Sequence, residues 1–308
     1  MFKKLFILSL LAMHFSANAC DVCGCSVSGL NGGFNGLQAG HLFGLSYSNA
    51  RYYSEHPILF ENETPLVSSE IFQSISLNSR FQLHRKFQVS VSVPYHFLSR
   101  TEVNNTETTR GIGDAQLIGH YIISSKDSAP VQMRILVGAG IKAPTGNHAL
   151  VSNQYHYVIP NMQPGTGSWD GILSSQAFIQ RNNYGFSGSV LYRINSANQD
   201  HYRYGNQGLF QGEFTYSVSI NNWTIRPQVG VSLINSQVDY DNVSIGSTNQ
   251  YSGGYFLNGS FSMLGFWKNC NLFFNVQTPL EQSFAQNTVT ARNSIQFGLN
   301  YFIPKQSK

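Results

Sequence analysis

Alternation of apolar and polar positions dominates this chain, and it predicts strands rather than helices. Residues 87–97 run FQVSVSVPYHF. Phe87, Val89, Val91, Val93, Tyr95 and Phe97 share one parity; Gln88, Ser90, Ser92, Pro94 and His96 share the other. Successive side chains of a strand point to opposite faces, so one face here is apolar and the other polar. The same reading holds over 131–142, 184–194, 210–220, 223–233 and 295–303. Weaker alternation falls near 41–52, 69–82, 112–124, 170–181, 252–266 and 270–279. The total is about twelve strands, an even number as bacterial outer-membrane barrels have.

The connections sharpen the prediction. Counted from the strand at 41–52, the even-numbered ones are short: His84-Arg85-Lys86, Ser125 to Pro130, Arg181-Asn182-Asn183, Asn221-Asn222 and Lys268-Asn269. The odd-numbered ones, near 53–68, 100–111, 144–169, 196–206, 237–251 and 280–291, are longer and polar. Tight periplasmic turns and longer extracellular loops sort in this way in a membrane barrel, and an even strand count puts both termini in the periplasm. A secreted β-sandwich also alternates. It has no reason to sort its loops by parity, nor to use strands of roughly 10–13 residues where about 5–6 is usual. The expected fold is all-β, a transmembrane antiparallel β-barrel over 41–303. It is narrower than the porins of about 16–18 strands, so side chains and loops should fill much of its lumen.

Charge adds a spatial statement. Only 11% of the 308 residues are charged, against about 25% in an average soluble domain. On the strongest strands Arg134, Lys142, Arg193, Glu213 and Arg226 all fall on the polar parity and no charge falls on the apolar one. A charge facing lipid near the bilayer midplane costs roughly 2–4 kcal/mol. These five side chains, with Asp114, are therefore expected to line the lumen and set its charge selectivity. Arginine outnumbers carboxylates in the set, which predicts a slight anion preference. Trp223 and Trp267 stand beside expected periplasmic turns, where amphipathic rings suit the interface. The net charge is +4 with no Lys/Arg run after the first residues, so nucleic acid is excluded as a partner. The expected partners are outer-membrane lipid and a small-molecule solute; no feature specifies an oligomeric state.

The termini and cysteines form a separate theme. Residues 1–19 pair Lys3 and Lys4 with a short apolar run and end on Ala17-Asn18-Ala19, the pattern of a cleaved signal peptide. Residues 20–40 form a Cys/Gly-rich periplasmic leader, and 304–308 a C-terminal tail. Cys20, Cys23 and Cys25 crowd three thiols into six residues, a spacing that can converge on Cu(I) or Zn(II). Cys270 follows the Lys268-Asn269 turn and so belongs to the same periplasmic side. An oxidising periplasm favours two disulfides instead. Both outcomes, thiolate metal site and disulfide pair, stand as expectations. Acylation of Cys20 is a further one, weakened by Ala17, where lipoprotein signals usually carry Leu.

Catalytic signatures are missing: there is no His-Glu-x-x-His, Gly-x-Ser-x-Gly or Walker loop. His41, His96, His120, His148, His156 and His201 are scattered without a partner at informative spacing. The chain reads as a non-enzyme.

Three segments carry a family resemblance. Gly111-Ile112-Gly113-Asp114 opens the expected fourth strand, Ala143-Pro144-Thr145-Gly146 closes the fifth, and Gln163-Pro164-Gly165-Thr166-Gly167-Ser168 precedes the sixth. Their order and placement, over roughly 80–303, resemble the outer-membrane barrels grouped as the "MetA-pathway of phenol degradation" or transporter-like family. The resemblance implies a barrel that passes small, often hydrophobic, molecules. Channel or transporter is thus the leading expectation. The alternative is a non-transporting barrel whose cysteines bind metal or tether the periplasmic mouth, or whose outer loops bind a partner.

Overall fold

The computed structural model describes residues 40–55, 66–103, 105–126, 130–148 and 159–304. The expected signal peptide and leader, with Cys20, Cys23, Cys25 and the tail after Pro304, lie outside the described residues, as does His156. Twelve antiparallel wall strands close into one barrel. They are β1 (Gly40–Glu55), β2 (Val67–His84), β3 (Phe87–Glu102), β4 (Asn105–Ile112) with β5 (Ala115–Lys126), β6 (Val131–Ala143), β7 (Asp170–Arg181), β8 (Tyr184–Ile194), β9 (Gln207–Tyr216) with β10 (Val218–Ile220), and β11 (Trp223–Ser236). A small hairpin of β12 (Asp239–Asn242) and β13 (Ser247–Asn249) then stands apart in an outer loop. The wall resumes with β14 (Gly254–Trp267), β15 (Cys270–Phe284), and β16 (Val289–Ala291) with β17 (Ser294–Pro304). Closure is made by β17 on β1, in register from Gly40↔Pro304 to Asn49↔Ile295. A closed ladder leaves no unpaired strand edge in hydrocarbon, which is the condition for a sheet to cross a bilayer.

The alternation sorts as expected. Along β3 and β17 the odd-numbered apolar residues point outward, and Phe87, Tyr95, Phe97, Ile295, Phe297 and Leu299 are exposed on the outer wall. Gln88, Ser92 and Asn300 are buried inside. At one end the strands are joined by two-residue turns at 85–86, 182–183, 221–222 and 268–269. Asn182, Asn221 and Lys268 take positive φ there, at 53°, 52° and 50°, the twist that tight hairpins require. Trp223 and Trp267 stack at this end with ring centroids 6.0 Å apart.

Two expectations are corrected. The third connection is not a loop over 100–111: β3 runs to Glu102 and β4 pairs with it from Glu102↔Asn105 to Tyr95↔Ile112. A hairpin projecting beyond the bilayer meets water on both faces, so it needs no apolar stripe and its strands escape a search for alternation. Second, Gly113-Asp114 does not open a strand. It interrupts one between β4 and β5, where Gly113 donates its N–H to Pro94 O at 2.9 Å and keeps the wall shut.

Candidate functional site: a latched segment over a polar lumen cavity

The site begins with the long connection after β6. Its return limb, residues 159–168, turns into the barrel instead of projecting outward. Met162 is fully buried against Phe72, Leu98, Phe256 and Phe284, side chains on four different wall strands. Phe256 and Phe284 stack at 4.7 Å, with Tyr52 against Phe72 at 5.4 Å. A second buried cluster, Ile118, Ile172, Leu191 and Leu209, is bridged to the first by Ile234. The outer part of the lumen therefore holds apolar clusters beside its buried polar groups, although the strand pattern gives the lumen face as polar.

Polar bonds fix the segment at both ends. Tyr204 donates its hydroxyl to Pro160 O at 2.8 Å, and Thr109 Oγ1 donates to Met162 O. Gly165 N–H donates to Asn147 O at 2.8 Å. Below them lies a buried ion cluster. Lys142 Nζ meets Asp114 Oδ2 and Asp170 Oδ2, both at 2.7 Å, with all three side chains almost wholly buried. Asp114 also accepts the Gly146 N–H at 3.0 Å, and the Thr166 N–H at 3.0 Å and hydroxyl at 2.7 Å. Ser168 Oγ donates to Asp170 at 2.9 Å. Thus the Asp of the first motif is the point where the other two converge. Gly165 and Gly146 explain the glycines: a Cβ on Gly165 would come within 2.4 Å of the Gly146 backbone. A Cβ on Gly167, at φ +72°, would come within 2.5 Å of the His148 ring.

Toward the short-turn end the lumen opens into a cavity of about 140 Å³. Arg80, His120 and Arg226 line it, with glutamines 88, 176, 211 and 228. Leu136, Leu209, Leu264 and Phe273 supply an apolar side. Arg80 lies within Coulombic range of both Arg134 and His120. The guanidinium of Arg226 rests 4.9 Å from the Phe266 ring. Glu213 is the lining carboxylate, and it accepts from Gln211 at 2.9 Å and Ser187 at 3.3 Å.

The six predicted lumen residues all face inward, but they divide into two groups. Lys142 and Asp114 neutralise one another in the ion cluster. Glu213 and Arg226 line the cavity, Arg134 donates to Gln82 at 2.9 Å beside it, and Arg193 is buried nearer the outer end. Sequence reasoning missed Arg80, Asp170 and Thr166. Arg80 was legible, since Glu70, Phe72, Ser74, Asn78 and Arg80 share the buried parity of β2. Thr166 was not, because nothing in a loop's composition says that it folds inward.

Cys270 and His120 are placed as follows. Cys270 lies at the turn end of β15, on the outward parity of Leu272 and Phe274 rather than in the lumen. His120 Nε2 stands 3.1 Å from Ser174 Oγ, but its Nδ1 has no hydrogen-bond partner and Ser174 is not on the cavity wall.

No protein-family model matches the chain, and no curated relative does. Among solved structures, the COG4313 outer membrane channel from Pseudomonas putida F1 is similar, with a TM-score of 0.62 at 12% identity, covering 88% of this chain and 99% of that one. The β domain of the Bordetella autotransporter BrkA is also similar, with a TM-score of 0.50 at 10% identity, covering 86% and 100%. At these identities the likeness is one of fold: that of an outer-membrane β-barrel.

Proposed function

We propose that the protein is a passive outer-membrane channel for small molecules, narrowed by the latched segment 159–168. The observation that carries this reading is the internal cavity, lined by inward-facing Arg80, Arg226 and glutamines within a closed wall. The similar Pseudomonas barrel is an outer membrane channel, and the three motifs that resemble the transporter-like family point the same way. Arg80 and Arg226 against Glu213 favour anions in the cavity. Planar-bilayer recordings of the purified protein test the reading. Discrete conductance steps with chloride passing in preference to potassium are expected; a sealed membrane at all voltages would overturn it.

One observation favours a second role beside the first. Cys270 and Phe43 flank Tyr301 at one level, three residues into the wall from Gly40. The strand preceded by the cysteine-rich leader therefore lies two positions around the wall from Cys270, about 10 Å at the usual strand spacing. This supports a bridge or a shared Cu or Zn between Cys270 and Cys20, Cys23 or Cys25. Intact-mass analysis with and without reduction, together with metal content, tests it; four free thiols and no metal would end it.

A further inference from the structure

We infer that the lumen cavity is a binding site for a small carboxylate carrying an apolar body, about one aromatic ring in size. This rests on the channel reading for its physiological meaning but not for its test. Three features of the cavity select the ligand. Its volume, about 140 Å³, is that of a cavity which accepts a benzene-sized molecule. Its cationic side is made by Arg80 on β2 and Arg226 on β11, which reach it from different sides of the wall. Its apolar side is made by Leu209, Leu264 and Phe273, each buried.

Each simpler ligand fails on one side. A bare inorganic anion satisfies Arg226 and leaves the leucines and Phe273 facing water. A neutral hydrocarbon covers the apolar side but strips water from the Arg226 guanidinium and leaves it the Phe266 ring in place of an anion, which burial makes costly. A carboxylate on a small apolar body satisfies both, and guanidinium is the side chain whose planar fork matches a carboxylate. Glu213 does not occupy that role for Arg226: its oxygens are held by Ser187 and Gln211, and it forms no ion pair among the described residues. Gln88 Oε1 and His120 Nδ1, both on deeply buried side chains of the lining, lack hydrogen-bond partners. They would hold the water that a carboxylate brings.

The test is equilibrium binding to the full protein in detergent micelles at low salt, read by calorimetry. Three probes are compared: benzoate, benzyl alcohol with the body and no charge, and acetate with the charge and no body. Saturable benzoate binding is expected, at least tenfold tighter than either control. Arg226→Gln should weaken benzoate about tenfold and leave benzyl alcohol unchanged, while Arg226→Lys, which keeps the charge without the planar fork, should recover only part of the affinity. Equal affinity for benzoate and benzyl alcohol, or benzoate binding that survives Arg226→Gln intact, would overturn the inference. Should Arg226→Gln fail to fold, the three-probe comparison on the unaltered protein decides alone. Conductance in potassium chloride is measured on the same preparation. Conductance without benzoate binding defeats the site and spares the channel; benzoate binding without conductance does the reverse.

Discussion

Lys142 ties the wall to the inward-turning segment through Asp114, Asp170 and Thr166. It is buried between Asp114 and Asp170 at 2.7 Å from each. Removing one member of a buried ion pair leaves uncompensated charge and costs about 3–5 kcal/mol. Lys142→Met should lower the unfolding midpoint in denaturant by a corresponding amount. It should also loosen Thr166, which shares Asp114 with Lys142. Adding Asp170→Asn to Lys142→Met should recover part of the stability, because one of the stranded carboxylates is then neutral. Met162 offers a contrasting case, wholly buried in an apolar cluster. Met162→Ala should cost about 2–5 kcal/mol through the cavity it leaves, read in the same denaturant titration, with no electrostatic rescue available.

At the scale of elements, the proposed channel is narrowed by segment 159–168, whose seating brings the Gly165 and Gly146 backbones together. Gly165→Val would force a side chain into the Gly146 backbone. The expected outcome is a displaced segment and a larger, noisier single-channel conductance, with the wall intact by its heat-shifted mobility on a gel. Equal conductance would show that the segment does not limit flow. The turns give a second prediction. Trp223 and Trp267 stack beside the 221–222 and 268–269 turns, and Lys268 Nζ lies 5.0 Å from the Trp267 ring. Amphipathic rings in such places lie at headgroup depth. Lipids brominated near the headgroup should therefore quench their fluorescence more strongly than lipids brominated at mid-chain.

The whole molecule is a wall with two solvents. Val229 is 55% exposed on the outer face, opposite Phe214 and Phe261 on the flanking strands. Val229→Arg should destabilise the barrel by roughly 2–4 kcal/mol when unfolded from vesicles. Gln228→Arg, one residue away on the cavity side, should cost far less and raise the preference for anions in bilayer recordings. The size of that asymmetry measures how completely strand parity separates lipid from lumen. It also accounts for the composition, since a wall that admits charge on one face only carries little of it.

Periodicity determined the membrane-spanning part of the wall: its strands apart from the β3–β4 extension, which side of each faces lipid, and where the tight turns fall. Those features are local, because a strand's pleat repeats every two residues and a lipid-facing position tolerates only apolar side chains. The lumen residues Arg134, Arg193, Arg226 and Glu213 were legible for the same reason. The inward turn of 159–168 was not, nor the meeting of Asp114, Lys142, Thr166 and Asp170. Those four are brought together by barrel closure and loop folding, across up to 56 positions of chain. The tertiary structure likewise decided that Phe72, Leu98, Phe256 and Phe284 face one another inside the wall. They break the polar pattern of the lumen face, and their reason for doing so is Met162, a partner that no repeat in their own strands announces.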